Sequence, residues 1–238
     1  MVTIQNYVRA KSLEEAYELN QKKGNCILGG MLWTKMQNRM IQTAIDLCDL
    51  GLNEIEETEE EFLIGAMVSL RQLETDTGLN AYTQGAVRDA VKDIVGVQFR
   101  NLATVGGSIW GRFGFSDVLT VFLAMDTEVE LFQGGRIPLK DFAAVCNQST
   151  DFPVIACAAS CVGGEYRLAV GARPHRAVLL CDEEKFLSGG VKEESVKAFA
   201  NWAKEQIPTG NNHRAGAAYR TRLIGVLSQR LFCKIGEA

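Results

Sequence analysis

Asn101-Leu-Ala-Thr-Val-Gly-Gly-Ser-Ile-Trp110, with Asp117 a short loop further on, is the stretch on which the reading of the fold turns. Thr104 and Val105 read as the end of an extended segment. Gly106 and Gly107 follow; they can take φ > 0 and let a ligand or another backbone come into contact. Ser108 adds a small hydroxyl. Successive unpaired N–H groups in such a turn form a concave anion site without any Lys or Arg. Asp117 opens the apolar run Val118-Leu-Thr-Val-Phe-Leu-Ala-Met125, where a carboxylate either caps a helix or accepts hydrogen bonds from a ribose hydroxyl pair. On the residues alone the plainer reading, a tight turn between core elements with Asp117 as N-cap, outweighs the phosphate site.

Upstream, residues 2–8 are rich in β-branched and aromatic side chains and predict a strand. Ser12-Leu-Glu-Glu15 is a capping box, and the helical period runs through Lys23 to Gly24, which suits a helix end. Cys26-Ile-Leu28 predicts a short strand, followed by Gly29-Gly30; residues 31–40 predict a helix and residues 44–48 another strand. The first fifty residues thus read β-α-β-α-β, with a Gly-Gly turn at the carboxyl end of the middle strand, where open α/β sheets bind ligands. Acidic residues 53–61 read as a solvated hairpin or loop, residues 61–66 as a strand, residues 70–77 as a helix capped by Ser69, and residues 84–94 as a further helix.

Downstream, residues 128–132 and 136–142 pair around Gln133-Gly-Gly135, a hairpin signal. After a composition shift, residues 154–161 and 166–171 form two apolar strands around Val162-Gly-Gly-Glu165, and helices are predicted at residues 182–187, 193–206 and 213–234. A domain boundary is placed near Phe142.

The 238 residues are 47% hydrophobic and 23% charged, with a net charge of −4, which suits a globular chain and argues against nucleic-acid binding. Arg214, Arg220, Arg222, Arg230 and Lys234 read as a solvated helix face. The seven cysteines are scattered, with no Cys-x-x-Cys; Cys157 and Cys161 lie in an apolar stretch and read as buried small hydrophobes, not metal ligands. The first residues lack a signal-peptide pattern and no apolar run reaches membrane-spanning length, so the chain is expected in a reducing cytoplasm, away from membranes. Neither Gly-x-x-x-x-Gly-Lys-Ser/Thr nor Gly-x-Gly-x-x-Gly occurs. His175 and His213 read as surface residues, and no catalytic or metal-ligating set is assigned. What remains is a binder with two Gly-Gly turns. If both face one cleft, their amides embrace a pyrophosphate from two sides, which suits FAD.

Cys26-Ile-Leu-Gly-Gly-Met-Leu32 and Val97-Gln-Phe-Arg-Asn-Leu-Ala-Thr-Val-Gly-Gly-Ser-Ile109, with Asp117, resemble the two flavin loops of the FAD-binding subunit of molybdenum hydroxylases. That family includes the medium chain of carbon monoxide dehydrogenase and the flavin subunit of xanthine dehydrogenase. Arg214-Ala-Gly-Ala-Ala-Tyr-Arg-Thr-Arg-Leu-Ile-Gly-Val-Leu227 resembles its last helix. The resemblance implies an α+β chain: a two-subdomain FAD-binding fold of the PCMH-like type over residues 1–142 (subdomains about 1–52 and 53–142), then a small sheet-plus-helices domain over 143–238. It implies FAD held by Leu28, Gly29, Gly30, Met31 and Leu32 and by Ala103, Thr104, Val105, Gly106, Gly107 and Ser108, with Asp117 on the adenosine ribose. It implies an oxidoreductase subunit that takes electrons from a 2Fe–2S iron–sulfur subunit, fed by a molybdenum cofactor subunit, and delivers them to NAD or a ferredoxin-like acceptor. Two departures stand out: Met31 and Leu32 replace a polar pair, and the family's long segment between Phe142 and Asp151 is nearly gone. The alternative is a structural subunit of the same kind of complex that binds flavin weakly or not at all; a nucleotide-regulated binding module is the third.

Overall fold

The computed structural model describes residues 1–111, 113–143 and 154–237. The shortened segment after Phe142 and Cys146 lie outside the described residues for the most part. By its contacts the chain divides into two compact units, Met1–Gly111 and Arg112–Ala238.

The first unit opens with β1 (Thr3–Arg9), α1 (Leu13–Asn20), β2 (Cys26–Leu28) and β3 (Met40–Asp46), and the strands form a parallel sheet in the order β1-β3-β2. The expected Ser12 cap holds, its Oγ accepting from the Glu15 N–H at 3.2 Å, but the capping box is not closed: a Glu15 carboxylate oxygen accepts from the Lys11 N–H at 2.7 Å, one residue before the cap. Ile45 and Leu47 pack with Ala10 and Ala16, while Leu28, Ile41 and Ala44 form a second buried group. The helix expected over residues 31–40 is replaced by a loop with one 3-10 turn, Thr34–Met36. Its residues are drawn off at both ends. Met31 is in the left-handed region at φ 54°, and Met40 and Ile41 already pair with Thr3 and Ile4. The third strand therefore starts before residue 44.

The acidic stretch is a hairpin of β4 (Ile55–Glu57) and β5 (Phe62–Ile64). Five short helices follow: α2 (Leu70–Thr75), α3 (Thr77–Tyr82), α4 (Ala86–Val91), α5 (Val97–Leu102) and α6 (Val105–Gly111). Ser69 caps the first of them in a full capping box with Gln72. Helices α3, α5 and α6 were not anticipated; Val105, read as the end of an extended segment, instead opens α6. Asp76 starts α3 by accepting from the Leu79 N–H at 2.7 Å, and each element is too short to show a helical period.

The second unit begins with α7 (Asp117–Ala124), the hairpin of β6 (Glu128–Leu131) and β7 (Gly135–Pro138), and α8 (Leu139–Ala143). An antiparallel sheet follows, of β8 (Ala156–Val162), β9 (Glu165–Gly171) and β10 (Val178–Cys181), with α9 (Glu193–Gln206) and α10 (Ala217–Gly236). Strand alternation gives the sheet two covered faces. Leu168 and Val170 of β9 join Val196, Phe199, Ala203, Ile224 and Phe232 of α9 and α10 in the core. The opposite face meets α7, whose residues 118–124 are all buried; Thr120 Oγ1 leaves no room for a Cβ on Gly171. Phe199 anchors the helical side, edge-on to Phe232 at 4.9 Å between ring centroids and 5.6 Å from Trp202.

Two expectations fail here. Residues 182–187 are not a helix: the Asp182 carboxylate accepts from the Phe186 and Leu187 N–H groups at 2.9 and 2.7 Å, a side-chain-closed turn after β10. The last helix starts at Ala217, not residue 213, because Asn212 Oδ1 takes the Arg214 and Ala215 N–H groups and Asn211 Oδ1 takes that of Ala217. Nor are all its basic residues solvated. Arg220 is fully buried, and its guanidinium donates to the carbonyls of Val154, Gly210 and Ala215 and to Asn212 Oδ1 at 2.7–2.8 Å.

Candidate functional site

Within the first unit the two Gly-Gly loops abut. A Cβ built on Gly30 would stand 1.7 Å from the Leu102 carbonyl oxygen, and one on Gly29 would stand 3.0 Å from Thr104 Oγ1. Glycine at residue 30 is thus required by close backbone approach. Gly106 is similar, its Cβ position lying 2.7 Å from the Ala66 carbonyl oxygen. None of Gly29, Gly30, Gly106 and Gly107 has positive φ. The expectation that Gly106 and Gly107 supply left-handed backbone is therefore corrected: their role is space. The left-handed residue is Met31, and non-glycine residues held there gather at functional sites.

Thr104 is not the end of a strand but the residue on which the second loop turns. It bridges Ser69, with the Leu70 N–H donating to the Ala103 carbonyl at 2.9 Å and the Val105 N–H to the Val68 carbonyl at 2.8 Å. Its Oγ1 accepts from the Gly107 N–H at 3.2 Å, capping α6, and its carbonyl accepts the Ser108 N–H and hydroxyl at 3.0 and 2.9 Å. The Gly106 N–H donates to the Ala66 carbonyl at 2.8 Å. So the amides of Val105, Gly106, Gly107 and Ser108, expected to be unpaired, are all spent inside the protein.

The spare amides lie elsewhere. Among the described residues no acceptor bonds the N–H groups of Gly30, Met31 and Leu32, nor that of Thr104, which is only 8% exposed. A buried N–H without a partner is costly. A left-handed residue between residues of ordinary φ turns neighbouring N–H groups toward a common point, the arrangement that holds anions. The first loop, with Thr104 beside it, therefore fits a phosphate group. Thr104 could have been singled out from sequence as a Ser/Thr cap three residues before Gly107; the spare amides around Met31 leave no sequence signal.

In the second unit Asp117 is the first residue of α7. The cap is Ser116, whose Oγ accepts from the Leu119 N–H at 3.1 Å, so Asp117 as N-cap is corrected. Among the described residues nothing bonds the Asp117 carboxylate, and burial pushes its pKa up from an ordinary 3.8 to about 6. A half-buried carboxylate with free acceptor positions can take a pair of hydroxyl donors. His175 and His213 are exposed. Cys157 packs on the core, and burial pushes its thiol up to about 12, whereas Cys161 is exposed, against expectation.

Residues 2–153 match the family of the FAD binding domain in molybdopterin dehydrogenase. The uncharacterized protein YgfM of Escherichia coli K12 is 26% identical over 264 aligned positions, covering 99% of this chain and 98% of that protein. The glyceraldehyde dehydrogenase medium chain of Sulfolobus acidocaldarius is 22% identical, covering 97% of this chain and 98% of the other. The fold is similar to that of quinoline 2-oxidoreductase from Pseudomonas putida 86, with a TM-score of 0.81 at 17% identity over 99% of this chain and 97% of that one. It is likewise similar to reconstituted CO dehydrogenase from Oligotropha carboxidovorans, with a TM-score of 0.79 at 19% identity over 96% of both chains. Since the family match takes in more than half of the 238 residues, the chain belongs to the family of FAD-binding domains of molybdopterin dehydrogenases.

Proposed function

We propose that this chain is the FAD-containing medium subunit of a cytoplasmic molybdenum hydroxylase complex. In it the chain passes electrons from an iron–sulfur subunit, served by a molybdenum cofactor subunit of xanthine dehydrogenase type, to NAD or a ferredoxin-like acceptor. The observation that carries the reading is the abutting of the Gly29–Gly30 loop against Thr104, which leaves the amides of residues 30–32 and 104 for a pyrophosphate. Leu28 leads into that cradle, and Ala103 with Val105, Gly106, Gly107 and Ser108 braces it. Asp117 accepts hydrogen bonds from the adenosine ribose. FAD supplies the electron exchange. The protein's part is to place the cofactor and set its electrostatic surroundings, so no residue is assigned a proton-transfer role.

The test is an absorbance spectrum of the purified chain, with FAD assayed in the supernatant after heat release. About one FAD per chain is expected. A chain that shows no flavin band, and none after soaking with FAD, sinks the reading. The second reading, a structural subunit with weak or no flavin binding, draws on the spent amides of Val105, Gly106, Gly107 and Ser108. It predicts a complex that assembles to the same extent and stability with and without added FAD.

A further inference from the structure

Helix α10 buries Ile224, Ser228 and Phe232 in the core of the second unit, and its opposite side faces outward. Tyr219, Arg222, Val226 and Arg230 follow one another on that outer side at steps of three or four residues, so they form one stripe. All four are exposed, Tyr219 by 54% and Val226 by 38%. Lys234, also exposed, continues the stripe one turn on. From Tyr219 to Arg230 apolar and cationic side chains alternate over about 16 Å of helix.

The counterpart is the hairpin of β4 and β5 in the first unit. Six glutamates stand in the eight positions from residue 54 to residue 61, and all six are exposed. Thr58 shapes the tip. Its N–H and its hydroxyl each donate to the Glu61 carbonyl at 2.9 Å, and its Oγ1 accepts from the Glu61 and Glu60 N–H groups at 2.9 and 3.3 Å. On one face of the ladder Glu57 and Phe62 turn toward Gly78 and Tyr82. On the other, Glu56 lies directly across from Leu63, which is 37% exposed. Carboxylates around an apolar residue thus face outward over about 13 Å of hairpin, from Glu54 to the tip.

The two surfaces match in charge, in length and in their mixture of apolar and charged groups. Opposed charges steer such faces together and fix their register, and Tyr and Arg are the residues enriched where proteins meet. A bare polyanion would use the cations of the stripe and leave Tyr219 and Val226 without a role. We propose that the acidic hairpin of one copy docks on the outer face of α10 in a second copy of this chain. The surface goes beyond the flavin reading and stands without it, since neither the Gly-Gly loops nor Asp117 takes part.

The test is sedimentation velocity of the full chain over about 10 µM to 1 mM, at ionic strengths of about 0.01 M and about 1 M. Concentration-dependent self-association is expected at low salt and its loss at high salt, where charges are screened within about 3 Å. Arg222→Glu combined with Arg230→Glu is expected to weaken association roughly tenfold or more, and so is Glu56→Lys combined with Glu60→Lys. All four residues are exposed, and circular dichroism checks that each variant folds. Mixing the two variants is expected to restore association, because each then offers the charge that the other needs. A chain that stays monomeric throughout overturns the proposal, whatever other acidic surface the stripe meets. So does association that either reversal leaves intact, or a mixture that stays dissociated. None of these outcomes depends on whether FAD is bound.

Discussion

Replacing Gly30 by Ala is the sharpest probe of the loop geometry. The new methyl would lie 1.7 Å from the Leu102 carbonyl oxygen and 2.5 Å from its carbon, both backbone atoms that no rotamer change can move. Carbon and oxygen rest at about 3.3 Å or more, so the two loops must part by about 1.6 Å. Overpacking of this kind costs about 1–3 kcal/mol, or about 2–12 °C in melting temperature. The larger effect falls on the ligand. Parting the loops separates the amides of residues 30–32 from that of Thr104. If two hydrogen bonds to the phosphates are lost, at about 1.5–3 kcal/mol each, FAD binds roughly 10²–10⁴-fold more weakly. The assay is quenching of FAD fluorescence on titration with apoprotein, with circular dichroism to confirm folding. Gly189→Ala is the control, since nothing lies within 4 Å of its Cβ position. Gly29→Ala, facing Thr104 Oγ1 at 3.0 Å, should fall between the two because a side chain can yield. If Gly30→Ala binds FAD within threefold of wild type and melts within a degree or two of it, close packing of the loops is not what shapes the site.

Thr104→Val removes the cap of α6 and should cost about 1 kcal/mol, read as a lower denaturation midpoint in urea; an unchanged midpoint would show that the cap bond carries no stability. FAD affinity should rise with pH through about 6, because the ribose hydroxyls bond the ionised Asp117 and ionisation is completed only there. Stability of the free chain should run the other way. Asp117 holds its proton more tightly folded than unfolded, so stability falls between about pH 4 and 6, by at most about 3 kcal/mol, and is flat above. Asp117→Asn should abolish both slopes; slopes that survive in it would reassign them to another group. Phe199→Ala, at the centre of the aromatic group on α9, should cost about 3–5 kcal/mol by unfolding measurements. A loss below 1 kcal/mol would mean that this core collapses around the gap.

Much of the fold was legible where one local signal sufficed. The helix at residues 193–206 came out with its observed ends because its apolar face repeats over fourteen residues behind an acidic first turn. The hairpin at Val162-Gly-Gly-Glu165 was legible because both glycines take positive φ, at 57° and 84°. The failures share a different cause: a distant group claims the residue. Met40 and Ile41 are strand because β1 pairs with them, and Arg220 is buried because carbonyls at residues 154 and 210 surround it. The helices around residues 77–82 and 97–102 are too short for a period and are fixed by their caps and neighbours.

The candidate site shows the same division within a single residue type. Gly163 and Gly30 are indistinguishable in the sequence, each one of a Gly-Gly pair after a short apolar strand. Gly163 has nothing within 4 Å of its Cβ position and is needed for its backbone angle; Gly30 has an ordinary angle and is needed because a carbonyl occupies the Cβ position. The first kind makes a turn, whose outcome is local. The second brings two chain segments together, and only it can gather amides from residues 30–32 and 104 about one anion. A glycine pair therefore marks a site only when the segment it meets is known, and that segment, residues 102–104, lies seventy residues away. The likeness to the flavin loops identified both stretches. It could not tell which amides were still free, because that depends on where Val68, Ala66 and Thr104 place their oxygens.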